Sequence, residues 1–246
     1  SGNISEADIE TFCTGTSCTV SSWLDQSGNG NTATAPSTGE EPTIYTGGAL
    51  VKENGKLALF FDGTATNGNQ LTAAGFGTGS TRFAASVQRL TQNAGGGDSN
   101  YHNVFIFMED ADSGDPPLTG DFMQLNASDA SQAINLNFPT NGLDVSANQP
   151  TNVQRLTAIQ KTSSNSYFDI DGTSVGSGSG TQTLENELSI GKFSVFGFAV
   201  MNMQELLVYN ADKSGTDQTS IEENVGDYYT ENLAHRYVLK SFQAVW

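Results

Sequence analysis

The chain is short of positive charge. Ten Lys and Arg stand against 27 Asp and Glu, a formal net charge of −17. A surface of that sign repels phosphate backbones and anionic headgroups, which excludes nucleic acid and anionic lipid as partners. No run of about 18 apolar residues occurs, so no membrane insertion by a helix is expected. Ser1-Gly2-Asn3 shows neither a basic n-region nor an apolar stretch, and no signal peptide is visible. The two histidines, His102 and His235, both lie outside any nucleophile-elbow context, which argues against a hydrolase triad. No glycine-rich phosphate loop precedes a helix. There are two cysteines, Cys13 and Cys18. A metal site needs three or four ligands, and neither histidine is near them in sequence. That favours a local disulfide, and with it an oxidising compartment.

What the chain does have is glycine, 27 residues of it, among many Ser, Thr and Asn. That composition points to many short strands joined by turns. With 36% hydrophobic and 9% aromatic residues there is material for one sizeable core, and 246 residues fit one large sandwich. The acidity reads as solubility, or more sharply as acidic loops that hold calcium.

Ser5 caps a helix that stops near Cys13, with Ile4 stapling onto Ile9. Residues 18–25 read as one short strand. Asn54-Gly55 and Asp171-Gly172 are type I′ hairpin signals between apolar runs. Further strands are predicted at 82–90, 103–108, 122–127, 133–138, 153–161, 166–170, 173–176, 188–191 and 203–209. Residues 217–229 form a helix with Ile221, Val225 and Tyr228 on one face. The fold class is therefore all-β: a two-sheet antiparallel β-sandwich with short flanking helices, in one domain over residues 1–233. An apolar extension, residues 234–246, carries Tyr237, Phe242 and Trp246 and is expected to dock on the sandwich or on a neighbouring subunit.

One stretch is distinctive: Ser5-Glu6-Ala7-Asp8-Ile9-Glu10-Thr11-Phe12-Cys13, then Cys18, then Trp23-Leu24-Asp25-Gln26-Ser27-Gly28-Asn29-Gly30-Asn31. It resembles the catalytic domain of fungal B-type α-L-arabinofuranosidases, where a disulfide-closed turn leads into a similar segment. It is similar too to the concanavalin A-like lectin/glucanase domains of bacteriophage structural proteins and bacterial surface proteins. The stretches around Asn54-Gly55, Asp171-Gly172 and Met203-Gln204-Glu205-Leu206-Leu207 follow in the same order. The resemblance implies a concanavalin A-like jelly roll at an extracellular or virion surface, with a cell-surface glycan or polysaccharide as partner. The domains it resembles carry a further strand ahead of the first helix, so contacts with other virion or surface-protein subunits are expected at that edge.

Retaining glycosidases need two carboxyl groups about 5–5.5 Å apart. The strand that matches the enzymes' nucleophile, 133–139, holds no carboxylate, and neither does Ile190-Gly191-Lys192-Phe193-Ser194-Val195-Phe196, which matches the acid/base. Asp129 and Glu187 lie nearby. The expectation is a non-catalytic carbohydrate-binding or adhesion module, from a tail fibre, spike, decoration or bacterial surface protein. The alternatives are a glycoside hydrolase of arabinofuranosidase-like type and a structural virion assembly protein. Sugar rings stack on aromatics while amides and carboxylates bond hydroxyls, which selects Tyr45, Tyr101, His102, Asn103, Asp98 and Asn100. For calcium, the candidates are Asp25 and Asn29 in the turn-rich corner and Asp110 and Asp112 in an acidic loop, both also readable as ordinary turn or solvated charges.

Overall fold

A computed structural model describes residues 5–63, 68–91, 101–108, 123–128, 133–138, 143–148, 152–179, 186–193 and 197–229. The extension at 234–246 lies outside them. The chain opens with α1 (Glu6–Cys13). Ser5 sits in extended backbone and its hydroxyl accepts from Asp8 N at 3.3 Å, while Glu6 and Asp8 place negative charge at the helix N-terminus. Cys13 is bonded to Cys18, with their Cα atoms 5.9 Å apart. A loop this short contributes about 2 kcal/mol by chain entropy, so it pins a corner and leaves the fold to the core.

The strands run β1 (Cys18–Thr19), β2 (Ser22–Trp23), β3 (Ala33–Thr34), β4 (Thr43–Thr46), β5 (Ala49–Leu50), β6 (Lys52–Glu53) and β7 (Lys56–Leu57). Next come β8 (Leu59–Asp62), β9 (Leu71–Ala73), β10 (Arg82–Leu90), β11 (Tyr101–Met108), β12 (Met123–Ser128), β13 (Ala133–Phe138) and β14 (Leu143–Asn148). The last are β15 (Gln154–Lys161), β16 (Asn165–Ile170), β17 (Thr173–Ser179), β18 (Glu187–Ile190), β19 (Lys192–Phe193), β20 (Gly197–Phe198) and β21 (Val200–Tyr209), ahead of α2 (Thr216–Tyr229). Among the described residues they form two large sheets. The first is ordered β1-β4-β8-β21-β10-β15-β16-β17, with β5 added to β4; the second is β14-β13-β12-β11-β18-β9-β3-β2. The strands of both pair antiparallel, and the register runs without a break along β10–β15 and β12–β13.

The core lies between the sheets. Phe61, Ile159, Phe168, Met201 and Met203 of the first meet Leu71, Phe105, Phe107, Leu188 and Ile190 of the second, all essentially without solvent contact. Each such side chain contributes roughly 1.5–3 kcal/mol by burial. The other face of the first sheet is buried too. There Phe83, Ala85, Val87, Leu156, Ala158 and Leu207 pack under Ile221, Val225 and Tyr229 of α2. That double burial explains why Phe83-Ala84-Ala85-Ser86-Val87 shows no polar alternation. The helix face is Ile221, Val225 and Tyr229; Tyr228, expected on it, is mostly exposed and lies under the Lys56 ammonium at 4.3 Å.

The two hairpin turns form as expected, with Asn54, Gly55, Asp171 and Gly172 all at positive φ. The β6–β7 hairpin is tied to the first sheet by the Glu53 carboxylate, which accepts from Arg89 Nε at 2.5 Å and Asn202 Nδ2 at 3.0 Å. Residues 18–25 do not make one strand. Thr19 stays in the first sheet and Ser22 enters the second, because Val20 N donates to Pro42 O at 2.8 Å and the chain crosses over there. Strand β14 is absent from the sequence-based expectation, although Leu143, Val145 and Ala147 alternate with polar residues.

Candidate functional site

Both described helices pack on the first sheet, α1 against β4 and β5 and α2 against β10 and β15. The outer face of the second sheet has neither. Register shows what occupies it. Phe105 pairs with Ile190 and Leu125, and Leu125 continues to Leu136 and Val145, which defines the core side through the buried Phe105. The opposite side takes the alternate positions. One row across β11, β12, β13 and β14 reads Asn103, Asn126, Asn135, Ser146. The next row reads Ile106, Gln124, Asn137, Asp144, and Tyr101 pairs with Ser128 at the far end. Of the sequence candidates, Tyr101 and Asn103 thus share this face. His102 pairs with Ala127 and falls on the core-side register, away from them. A bulge between Asn103 and Phe105 keeps Asn103 on the outer side; Val104 is the extra residue, its carbonyl accepting from Gly191 N at 3.0 Å.

The strand positions of this face from β18 to β14 carry two carboxylates, Glu187 and Asp144. Four strand spacings of about 4.8 Å separate their strands, roughly 19 Å, beyond the reach of either a retaining or an inverting pair. Asp98, Asn100, Asp110, Asp112 and Asp129 lie outside the described residues.

Tyr45, Asp25 and Asn29 lie elsewhere. Tyr45 is 5% exposed and packs in the core between the sheets, so it offers no ring to a sugar. Its position on β4, where Ile44 and Tyr45 are both buried, explains the error: an aromatic beside a Gly-Gly turn reads as exposed. Asp25 closes its own turn. Oδ1 accepts from Ser27 N at 2.7 Å and Oδ2 from Asn31 N at 2.9 Å. Burial works against its ionisation, but the bonds from Ser27, Asn31 and Gly30 outweigh it and hold the carboxyl below the usual range. These bonds give Asp25 a turn-closing role. Asn29 N donates to Ser27 Oγ at 3.0 Å in the same turn. Among the described residues no group of three or more His, Cys, Asp or Glu is arranged to hold a metal ion. A cavity of about 30 Å³ beside this corner, lined by Trp23, Asp25, Asn31, Ala73, Phe76 and Leu206, has room for about one water.

Two carboxyls meet under α2. Gln218 Nε2 donates to Glu222 Oε1 at 2.7 Å and also to Asp169 Oδ2 on β16. Burial pushes the Glu222 carboxyl up to about 7; the Gln218 bond opposes this and the Asp169 charge adds to it. A raised carboxyl stabilises the folded state fully below its unfolded value, 4.5, and that contribution is lost as pH rises through about 7. Glu222→Gln is therefore expected to match the parent in urea midpoint at pH 4 and to exceed it at pH 8, by about 1–2 kcal/mol after solvent screening. Equal pH profiles for the two proteins would refute this. Glu205, on β21, is a satisfied carboxylate: it accepts from Tyr229 Oη at 2.5 Å and burial raises its pKa.

No family model matches the sequence, and no curated protein matches it either. Solved structures do. A GH54 α-L-arabinofuranosidase soaked with 4-nitrophenyl α-L-arabinofuranoside superimposes with TM-score 0.67 at 16% identity, over 91% of this chain and 54% of that one. The likeness is one of fold. Domain 4 of an extracellular GH43 arabinanase from Geobacillus stearothermophilus, in complex with arabinotriose, gives 0.53 at 10% identity, over 81% of this chain and 85% of that one. The botulinum neurotoxin serotype G binding domain gives 0.53 at 11%, over 85% and 51%. The chain spans about half the length of the arabinofuranosidase chains it matches.

Proposed function

We propose that the chain is a non-catalytic carbohydrate-binding or adhesion module, displayed on a bacteriophage virion or a bacterial surface. What supports this reading is the register of β11–β14, in which Tyr101, Asn103, Asn126, Asn135 and Asn137 occupy alternate positions of one side of the sheet. Amides donate and accept at once, as sugar hydroxyls do, and an aromatic ring supplies the stacking surface. The Cys13–Cys18 disulfide agrees with a location outside the reducing cytosol.

A glycan array combined with an assay on 4-nitrophenyl α-L-arabinofuranoside tests this. Retention of one or more glycans without nitrophenol release is expected, and Tyr101→Ala should weaken the best glycan about tenfold. Nitrophenol release would make the protein a glycoside hydrolase. An array without any bound glycan would leave a structural assembly role.

A further inference from the structure

We infer that the last turn of α2 and the start of β7 form a further sugar site, which takes a ring carrying a carboxylate. Tyr228 stacks on that ring and the Lys56 ammonium holds its acid. This rests on the carbohydrate-binding reading and adds to it a site on the helix side of the sandwich and the charge of its ligand.

The aromatic shelf is exposed and yet fixed. Tyr228 is 58% exposed, on a helix whose Ile221, Val225 and Tyr229 are packed on the first sheet. Its ring lies at 83° to that of Tyr229, with the centroids 4.7 Å apart. Tyr229 is buried, and its hydroxyl donates to Glu205 Oε2 at 2.5 Å, which anchors this turn of the helix to β21. A tyrosine offers an apolar face to the C–H face of a sugar, and ordering it costs only two side-chain torsions.

The cation selects the ligand. Lys52, Arg89, Arg155, Lys192 and Lys213 each hold a carboxylate. Arg82 and Lys161 donate to backbone carbonyls. Lys56 does neither among the described residues: its ammonium rests over the Tyr228 ring, 4.3 Å from the centre, without a hydrogen bond or an ion pair. Acids outnumber bases 27 to 10, so this is not for want of carboxylates in the chain. Asp227 is exposed beside Tyr228 in sequence, but successive helix positions do not face each other. The backbone of Lys56 is held, since Gln204 Nε2 donates to Lys56 O at 3.2 Å and to Glu53 O at 3.0 Å. Its four-carbon stem can still carry the ammonium from the ring to the rim. A sugar entering over the ring displaces the ammonium, and a carboxylate on that sugar is the acceptor that binds it most strongly. The net charge of −17 does not reverse this preference, because charges beyond about 8 Å are screened at physiological salt and Lys56 acts in contact.

Isothermal titration of the intact protein, at about 0.15 M salt, tests the inference. The ligands are oligomers of galacturonic, glucuronic and mannuronic acid and their neutral counterparts of equal length. The best uronate should bind about fivefold more tightly than its neutral counterpart, the worth of one exposed ion pair. Tyr228→Ala should weaken uronate binding about tenfold, whereas Tyr228→Phe should match the parent, since stacking needs the ring and not the hydroxyl. Lys56→Gln should bring uronate affinity down to that of the neutral series. Neither residue belongs to the core, so melting temperatures should stay at the parent value. Should Tyr228→Ala fail to fold, Lys56→Gln still decides the charge preference. Equal affinity for the two series, or uronate binding that survives both substitutions, overturns the inference and leaves carbohydrate binding standing. No binding by any oligosaccharide, together with an empty glycan array, overturns both.

Discussion

Arg82→Met is expected to destabilise the sandwich by about 2–3 kcal/mol, although the side chain it removes is a cation and the one it installs is apolar. Arg82 opens β10 and is 1% exposed. Its Nη2 donates to Gly77 O at 2.7 Å and Phe76 O at 3.3 Å, and its Nε donates to Asn210 Oδ1 at 3.0 Å. The guanidinium lies 4.4 Å from the centre of the Phe107 ring, and Phe76 meets Phe107 edge-on at 5.6 Å. One planar fork thus fixes the 76–77 loop, the end of β21 and a core ring of β11. Methionine fills part of the volume but removes the donors to Gly77 O and Asn210 Oδ1, on exposed residues that water can reach, and one of the two donors to Phe76 O, which keeps Asn210 Nδ2. Lysine keeps the charge and loses the fork, so Arg82→Lys should recover only part of the loss. Urea unfolding of the three proteins decides it. A methionine variant within about 1 kcal/mol of the parent would show that the loop does not depend on the guanidinium.

Nothing in the sequence singles out Arg82, because a charged residue at a strand start usually faces water. What was legible was local. Asn54-Gly55 and Asp171-Gly172 announced their turns because positive φ is a property of those residues themselves. The bounds of β10 and β13 followed from their own patterns, and Ser5 from the capping chemistry of α1. The misreadings share a cause: they depend on partners distant in the chain. Residues 18–25 look like one strand until Pro42 captures Val20 and Ser22 pairs with Thr34. Tyr45 reads as exposed until the second sheet covers it.

The candidate face divides along the same line. Tyr101 and Asn103 stood out beside a Gly-rich loop, but His102 was grouped with them because adjacent loop residues carry no facing. The strand pairing with Ser128, Ala127 and Asn126 supplies it and moves His102 to the other side. Asn126 and Asn135 gave no signal singly. The alternation Ile134, Asn135, Leu136, Asn137 does mark one polar side of β13, but only the pairing of four strands turns single amides into a line. Loops such as the one with Asp110 and Asp112 announced acidity and nothing more definite.

The largest effect from a single added carbon is expected at Gly191, between β18 and β19. Gly191→Ala should cost about 2–5 kcal/mol and lower the melting temperature by roughly 10 °C. Two separate strains combine. Gly191 has φ +85°, where an L side chain costs about 1–2 kcal/mol. In addition, a Cβ there would lie 2.7 Å from Phe61 Cε1, closer still to Phe61 Cδ1, and 2.8 Å from the carbonyl oxygen of Asn69. Phe61 is fully buried, so its ring has nowhere to go. Asn69 is held by its own side chain, which accepts from Asp62 N at 2.7 Å and donates to Glu41 O at 2.8 Å. Relief therefore requires moving core and backbone together, the overpacking case that costs a further 1–3 kcal/mol or so. Gly191 also holds both neighbours, its N–H on Val104 O and its carbonyl on Ala199 N at 2.8 Å, so a backbone shift would disturb the β11 bulge that sets Asn103 on the outer face. Gly48→Ala separates the two strains. Gly48 has nearly the same φ, +83°, with nothing within 4 Å of the added carbon, and should lose only the backbone cost of about 1–2 kcal/mol. Equal melting temperatures for the two alanine variants would mean that the Phe61 ring yields, and that the packing at this corner is looser than its geometry indicates.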